Sequence, residues 1–157
     1  MPKFAFQPDR RALLATSAAL LLAGCAQAAP PGQFVLYKTP TCGCCTAWMK
    51  QMEQAGFKAT VMEMDDLHPV QTRYGITPQL ASCHTGVIDG FVFEGHVPPA
   101  DIARFLKERP KGLGLTVPGM PIGSPGMEMP GGQRDPFDTL LVLDRAGKTA
   151  VFARHRA

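Results

Sequence analysis

No stripe of lysine and arginine runs through the body of this 157-residue chain. The 16 basic and 13 acidic residues give a formal net charge of +3, and Lys3, Arg10 and Arg11 against Asp9 put most of that excess in the first 24 residues. The other 133 residues carry 13 basic and 12 acidic side chains, so nucleic-acid binding by charge loses its support. No apolar run reaches the roughly 20 residues that a bilayer-spanning helix needs. No internal repeat is visible. Charged residues make up only 18% of the chain against 45% hydrophobic, which excludes wholesale disorder. The body has the size of one domain and can bury a core without disulfide staples. What the chain has in quantity is 16 Gly and 15 Pro, unevenly spread, and five Cys, three of them within four positions.

The N-terminus reads as an address. Arg10-Arg11 precede an apolar run from Ala12 to Ala23, interrupted only by Thr16 and Ser17, which fits the h-region of a signal peptide. It ends in Leu22-Ala23-Gly24-Cys25, similar to a bacterial lipobox in which the cysteine becomes the lipidated first residue. Ala26-Gln27-Ala28 offers a competing site for ordinary cleavage, and the arginine pair matches a twin-arginine signal in part. The expectation is a lipoprotein-type signal over 1–24, a linker over 25–32, and a periplasmic protein held at the outer membrane by a lipid on Cys25 and by nothing else. An oxidising compartment is where the remaining thiols would pair or bind something.

Beyond the linker, strands and helices alternate. Gln33 to Lys38 is a short continuous apolar run, readable as a buried strand, broken by Thr39-Pro40-Thr41. Ala47, Trp48, Met49, Met52 and Ala55 recur at helical spacing from Cys45 onward, and Gly56 supplies a stop. Phe57, Ala59 and Val61 alternate with polar residues as a second strand, and Asp65-Asp66 opens a turn or short helix through Tyr74-Gly75. Val87-Ile88, Asp89-Gly90 and Phe91 to Phe93 spell a hairpin with a type I′ turn. Pro98 to Asp101 opens a helix whose buried stripe is Ile102, Phe105 and Leu106. Gly112 to Pro136 is dense in Gly, Pro and Met and reads as a long functional loop. Thr139 to Leu143 and Thr149 to Ala153 form a last hairpin. This βαβ–ββα order resembles the thioredoxin fold. The expectation is an α/β, three-layer core over 33–110, a Gly/Pro/Met-rich loop over 111–136, and a C-terminal hairpin extension over 137–157.

The chemistry is concentrated in Cys42-Gly43-Cys44-Cys45, at the first strand-to-helix junction. Backbone N–H groups and the helix dipole there favour an anion, so a thiolate is stabilised. Cys42 and Cys45 have the C-x-x-C spacing of a thiol–disulfide oxidoreductase, with Cys42 attacking and Cys45 resolving. Cys44 between them invites scrambled disulfides in an exchange catalyst, yet it gives a soft metal three thiolates over one helix turn. Cys83 adds a fourth thiol and is expected to face the triad. His84 beside it would point the opposite way in a regular strand, but Pro78 and Gly86 allow irregular backbone. His84 and His96 are candidate ligands whose alternatives are hydrogen-bonded or solvated histidines. Met127 and Met129 are candidate thioether ligands. Met120 reads first as a cap on the core, Met49, Met52 and Trp48 as core, and His68 and His155 as bystanders, the latter at a frayed end. Crowded sulfur and export favour copper over zinc. An iron–sulfur cluster meets the ligand count but would need assembly before export.

Four segments carry a family resemblance. Tyr37-Lys38-Thr39-Pro40-Thr41-Cys42-Gly43-Cys44-Cys45, Ser82-Cys83-His84-Thr85, Glu94-Gly95-His96-Val97-Pro98 and Met120 to Glu128 together resemble the exported, thioredoxin-like copper-resistance proteins of the CopG type, long described as a domain of unknown function. The resemblance implies a cysteine-bridged multicopper site and a part in copper handling, with Cu(I)/Cu(II) interconversion among its uses. Copper ions, and other exported copper-handling proteins, are the partners it implies. Turnover on a substrate is not something the residues specify.

Overall fold

The computed structural model describes residues 34–156. The twin arginines, the apolar run, Cys25, and Gln33 as a strand residue lie outside them. Chain order gives β1 (Phe34–Lys38), α1 (Gly43–Gln54), β2 (Ala59–Glu63), α2 (His68–Tyr74) and a 3-10 turn (Pro78–Leu80). These are followed by β3 (His84–Ile88), β4 (Phe91–Gly95), α3 (Pro99–Glu108), β5 (Gly114–Val117), β6 (Phe137–Val142) and β7 (Thr149–His155). The seven strands make one mixed sheet in the order β2-β1-β3-β4-β5-β6-β7. β1–β2 and β4–β5 are parallel; the other four pairs are antiparallel. The protein is a mixed α/β fold. Among the described residues no helix is long and apolar enough to cross a membrane.

Strand alternation divides the apolar residues between the two faces of the sheet. Phe34, Leu36, Phe93 and Leu115 cluster with Trp48 and Met52 of α1 and with Ile102 and Phe105 of α3. Val92 and Val142 cluster on the other side with Ile76, just past α2, and Leu80. Each fully buried large side chain contributes about 1.5–3 kcal/mol, so the α1–α3 face supplies most of the stability. The Asp89-Gly90 turn has φ of +51° and +84°, as a type I′ hairpin requires.

The elements differ from expectation in four places. Helix α1 begins at Gly43, with Cys42 as its N-cap, so Cys44 and Cys45 both stand in the first turn. The second strand starts at Ala59, because Phe57 turns into the core and its N–H still bonds Met52 O of the preceding helix. β5 lies inside the stretch read as loop: Gly114 to Val117 are all buried between β4 and β6, and three-dimensional pairing makes a strand of a segment too short to show a pattern. The C-terminal hairpin therefore continues the main sheet. His155 is not frayed, since its Nε2 lies 2.9 Å from Asp101 Oδ2 of α3 and 3.1 Å from Thr139 Oγ1 of β6.

Candidate metal centre

The turn that delivers the cysteines is itself pinned. Lys38 at the end of β1 is 5% exposed, and its Nζ donates to Thr39 O, Pro40 O and Glu63 Oε1 at 3.0, 3.3 and 3.1 Å. Cys42 Sγ accepts from Cys45 N at 3.3 Å, so the N-cap role that Ser or Asp usually fills belongs here to sulfur. Cys42 and Cys45 are joined as a disulfide, while Cys44 and Cys83 are free thiols. Cys44 Sγ lies 3.5 Å from Cys42 Sγ and 3.7 Å from Cys83 Sγ, and Cys45 Sγ is 3.6 Å from Cys83 Sγ. All four sulfurs fall within 4.8 Å of one another.

Cys83 occupies a bend, and regular strand geometry begins only at His84. The alternation rule that would send the two side chains apart does not apply to them. Cys83 Sγ is 3.4 Å from His84 Nδ1 and 3.1 Å from His96 Nε2, so these three residues make a second donor group within 4.8 Å. Cys83 belongs to both groups.

The electrostatics suit soft-metal ligation. Burial pushes the Cys83 thiol up to about 12, and the neighbouring Cys44 sulfur adds to the rise. Such a thiol is a poor nucleophile alone and gives up its proton only to something that replaces it, as a metal ion does. Burial, with His96 close by, holds His84 down at about 3, and burial lowers His96 as well. Both imidazoles are therefore neutral lone-pair donors at ordinary pH. His96 Nδ1 is 2.7 Å from Pro125 O, which can only accept, so the proton sits on Nδ1 and the Nε2 lone pair faces Cys83. His84 is fully buried against the Trp48 ring at 4.4 Å, and its Nε2 has no hydrogen-bond partner among the described residues. Trp48 donates Nε1–H to Val97 O at 2.8 Å and forms the wall of the centre.

The Pro125 carbonyl belongs to the Gly/Pro/Met loop, which closes over the centre. Gly126 has φ of +87°, and a Cβ there would meet Cys44 O at 2.7 Å and Trp48 N at 2.8 Å, so the loop backbone lies directly on the first turns of α1. Glu128 fastens it, accepting from Gln51 Nε2 at 2.7 Å and from Gly126 N at 3.0 Å. Met127 rides half-buried on this lid, and Met129 is 46% exposed. Met120 is 52% exposed, which overturns its reading as a core cap. His68 opens α2 and belongs to neither donor group.

Sequence reasoning missed Glu94. Its carboxylate, carried by β4 and fully buried, accepts from Thr85 Oγ1 at 2.6 Å, Ser82 N at 2.7 Å and Gln71 Nε2 at 2.8 Å. Burial pushes it up to about 7 against the pull of those hydrogen bonds.

Residues 80–127 match the family described as a protein of unknown function, DUF411. Two solved structures, both of copper resistance protein copG (forms 1 and 2), are each 44% identical to the chain. They superpose with TM-scores of 0.74 and 0.73, covering 81% and 80% of this chain and 99% of their own. No curated protein matches.

Proposed function

The chain belongs to the copper-resistance proteins of the CopG type, and on that premise we propose that it binds copper as cargo in a cysteine-bridged, multinuclear site. The observation that carries this reading is the position of Cys83 Sγ, at 3.6 and 3.7 Å from two sulfurs of the triad and 3.1 and 3.4 Å from two imidazole nitrogens. A sulfur shared between a thiolate group and a Cys–His–His group supports a bridging role. The proposed ligands are Cys42, Cys44, Cys45, Cys83, His84 and His96, with Met127 and Met129 supplying thioethers from the lid. Soft sulfur favours Cu(I); the neutral imidazoles accept Cu(II) as well.

The Cys42–Cys45 disulfide gives the site a redox partner of its own. Two thiolates closing to a disulfide release two electrons, the number that turns two Cu(II) into two Cu(I). Interconversion of the two oxidation states in copper resistance or homeostasis is the proposed use. The same disulfide supports a second reading, a thiol–disulfide oxidoreductase acting through Cys42 and Cys45. Two features speak against it: Cys44 stands 3.5 Å from the attacking sulfur, and the lid covers α1 where a protein substrate would dock.

The order β2-β1-β3-β4, with α1 and α3 on one face and α2 on the other, supports a thioredoxin-like core. The N-terminal motifs support an exported lipoprotein anchored through Cys25, with residues 1–24 removed. Copper per chain, measured after purification from copper-fed cells, tests the central reading. Bound copper is expected in wild type, and Cys44→Ser should lose more than one ligand's share. Wild type free of copper, with disulfide reductase activity retained in Cys44→Ser, would favour the exchange enzyme.

A further inference from the structure

Cys83 is the sulfur common to both donor groups, yet no regular element carries its backbone. It follows a 3-10 turn and lies in a bend before β3 begins. The three residues leading to it have no ladder partner, and a buried backbone polar group left unpaired is costly. Side chains and the lid's base supply the partners. Thr116 Oγ1 donates to Leu80 O at 2.7 Å, and Gly119 N donates to Ala81 O at 3.1 Å. Gln71 Nε2 donates to Ser82 O at 3.3 Å, and Ser82 Oγ donates to Gly119 O. Ser82 N, the last donor before Cys83, goes to Glu94 Oε1 at 2.7 Å.

Glu94 is the hub of this arrangement. It lies in register opposite Thr85 on β3 and Thr116 on β5, at the middle of the sheet. Its three donors come from α2, from the segment before Cys83, and from β3. All three donate to it as they stand, which is a carboxylate's own complement, and only the Thr85 hydroxyl could also accept. Two residues further on, past Gly95, the same strand delivers His96. Gly95 (φ +71°) lets the chain pass close to Ser82 and to Val117 O, which a Cβ would meet at 2.6 Å.

We infer that Glu94 is a positioning residue of the copper centre, setting the place of Cys83 Sγ by tying Ser82 N to Gln71 and Thr85. The inference rests on the copper-thiolate reading for the use it gives Cys83; the placement itself is a property of the metal-free chain. Glutamine at this position keeps an oxygen for Ser82 N and Gln71, and its amide donates to the Thr85 hydroxyl, which turns to accept. Leucine keeps the bulk and satisfies nothing.

The test uses the full chain, reduced and metal-free, with iodoacetamide reaction rates mapped at each cysteine by mass spectrometry. In Glu94→Leu, Cys83 should alkylate about tenfold faster, the scale set by unpaired buried donors. Cys44, fixed by α1, should change far less, and Glu94→Gln should return Cys83 to the wild-type rate. In anaerobic Cu(I) titration against a competing chelator, Glu94→Leu should lose about 10- to 100-fold in affinity and Glu94→Gln should recover it. The thiolate-to-copper absorption should follow the same order. A Glu94→Leu chain with native circular dichroism and the wild-type Cys83 rate overturns the inference, as does Glu94→Gln behaving like Glu94→Leu. If Glu94→Leu does not fold, Gln71→Ala takes its place. It removes the donor that links Glu94 to Ser82 O, and an unchanged Cys83 rate there overturns the inference equally. Wild type that takes up no Cu(I) defeats the copper reading, while the alkylation arm still decides whether Glu94 places Cys83.

Discussion

The sulfur triad on α1 and the Cys83–His84–His96 group meet at one atom, yet the chain builds them by different means. The triad is local: three cysteines, an N-cap and one helical turn put three sulfurs together without help from distant residues. The second group gathers a bend, the start of β3 and the residue after β4, and it depends on Glu94, Gln71 and Thr116 for its shape. The lid then rests on both, Gly126 against Cys44 and Pro125 against His96. Damage to the local half should therefore leave the other side chains of the centre in place, whatever copper is lost with the sulfur. Damage to the assembled half should spread.

The largest effect is expected at the shared sulfur. Cys83→Ser should remove more copper than Cys44→Ser, because Cys83 is in both donor groups and Cys44 in one. Metal content by mass spectrometry of the intact protein reads the difference, and equal losses would break the proposed asymmetry. The lid comes next. Gly126→Ala forces a Cβ into backbone of α1 at a positive φ, a strain of about 1–3 kcal/mol before the steric overlap is counted. The loop should lift, the melting temperature should fall, and His96 should lose the Pro125 carbonyl that fixes its tautomer, lowering Cu(I) affinity about tenfold or more. An unchanged melting curve together with unchanged affinity would show that the lid does not couple the halves.

The two halves also differ in how far the sequence reveals them. C-x-C-C at a strand-to-helix junction is readable because every residue involved is contiguous, and Asp89-Gly90 announces its hairpin for the same reason. Cys83 is readable as a fourth thiol, but its orientation depends on a bend whose hydrogen-bond partners lie at positions 71, 94, 116 and 119. Glu94 looks like a solvated charge at a strand end until the three donors converge on it. β5 has four residues and draws its stability from neighbours on both sides, so no periodic signal marks it. Met120 fails as a core cap because it stands 52% exposed, and the loop meets the rest of the protein at Gly119 and Gly126 on either side of it. His155 gains order from Asp101, which stands 54 positions earlier.

Acid should act on the assembled half of the metal-free, disulfide-bonded protein. His84 is lowered from 6.5 to about 3, so between those values the unfolded chain binds a proton that the folded one refuses. Stability is then lost as pH falls, by about 5 kcal/mol across the window for so deeply buried a ring. His96 is lowered as well and acts in the same direction. Glu94 opposes them: raised from 4.5 to about 7, it binds a proton in the folded state first, adding stability as pH falls through that window, about 3 kcal/mol. The net change should be small between about 7 and 4.5, where the groups oppose one another, and stability should fall steeply below 4.5, where Glu94 no longer compensates. Denaturant midpoints measured across this range read the curve. Glu94→Gln should steepen the upper part, and an identical profile in the variant would rule out the compensation.

The smallest effects are expected at the thioethers, which separate a lid that merely covers the centre from one that ligates. Met127 is half-buried on the segment whose neighbours touch His96 and α1, whereas Met129, two residues on, is 46% exposed. Leucine conserves the volume of methionine, so either substitution should cost less than about 1.5 kcal/mol in stability. A loss of copper therefore reports the sulfur and not the packing. Met127→Leu should weaken Cu(I) binding modestly with the lid still closed, and Met129→Leu should weaken it less, since an exposed thioether exchanges with water at little cost. Chelator competition on both variants, with the Gln51–Glu128 latch intact, reads the pair. Wild-type affinity in both Met127→Leu and Met129→Leu would remove the thioethers from the ligand set and leave the copper to the four sulfurs and two imidazoles beneath the lid.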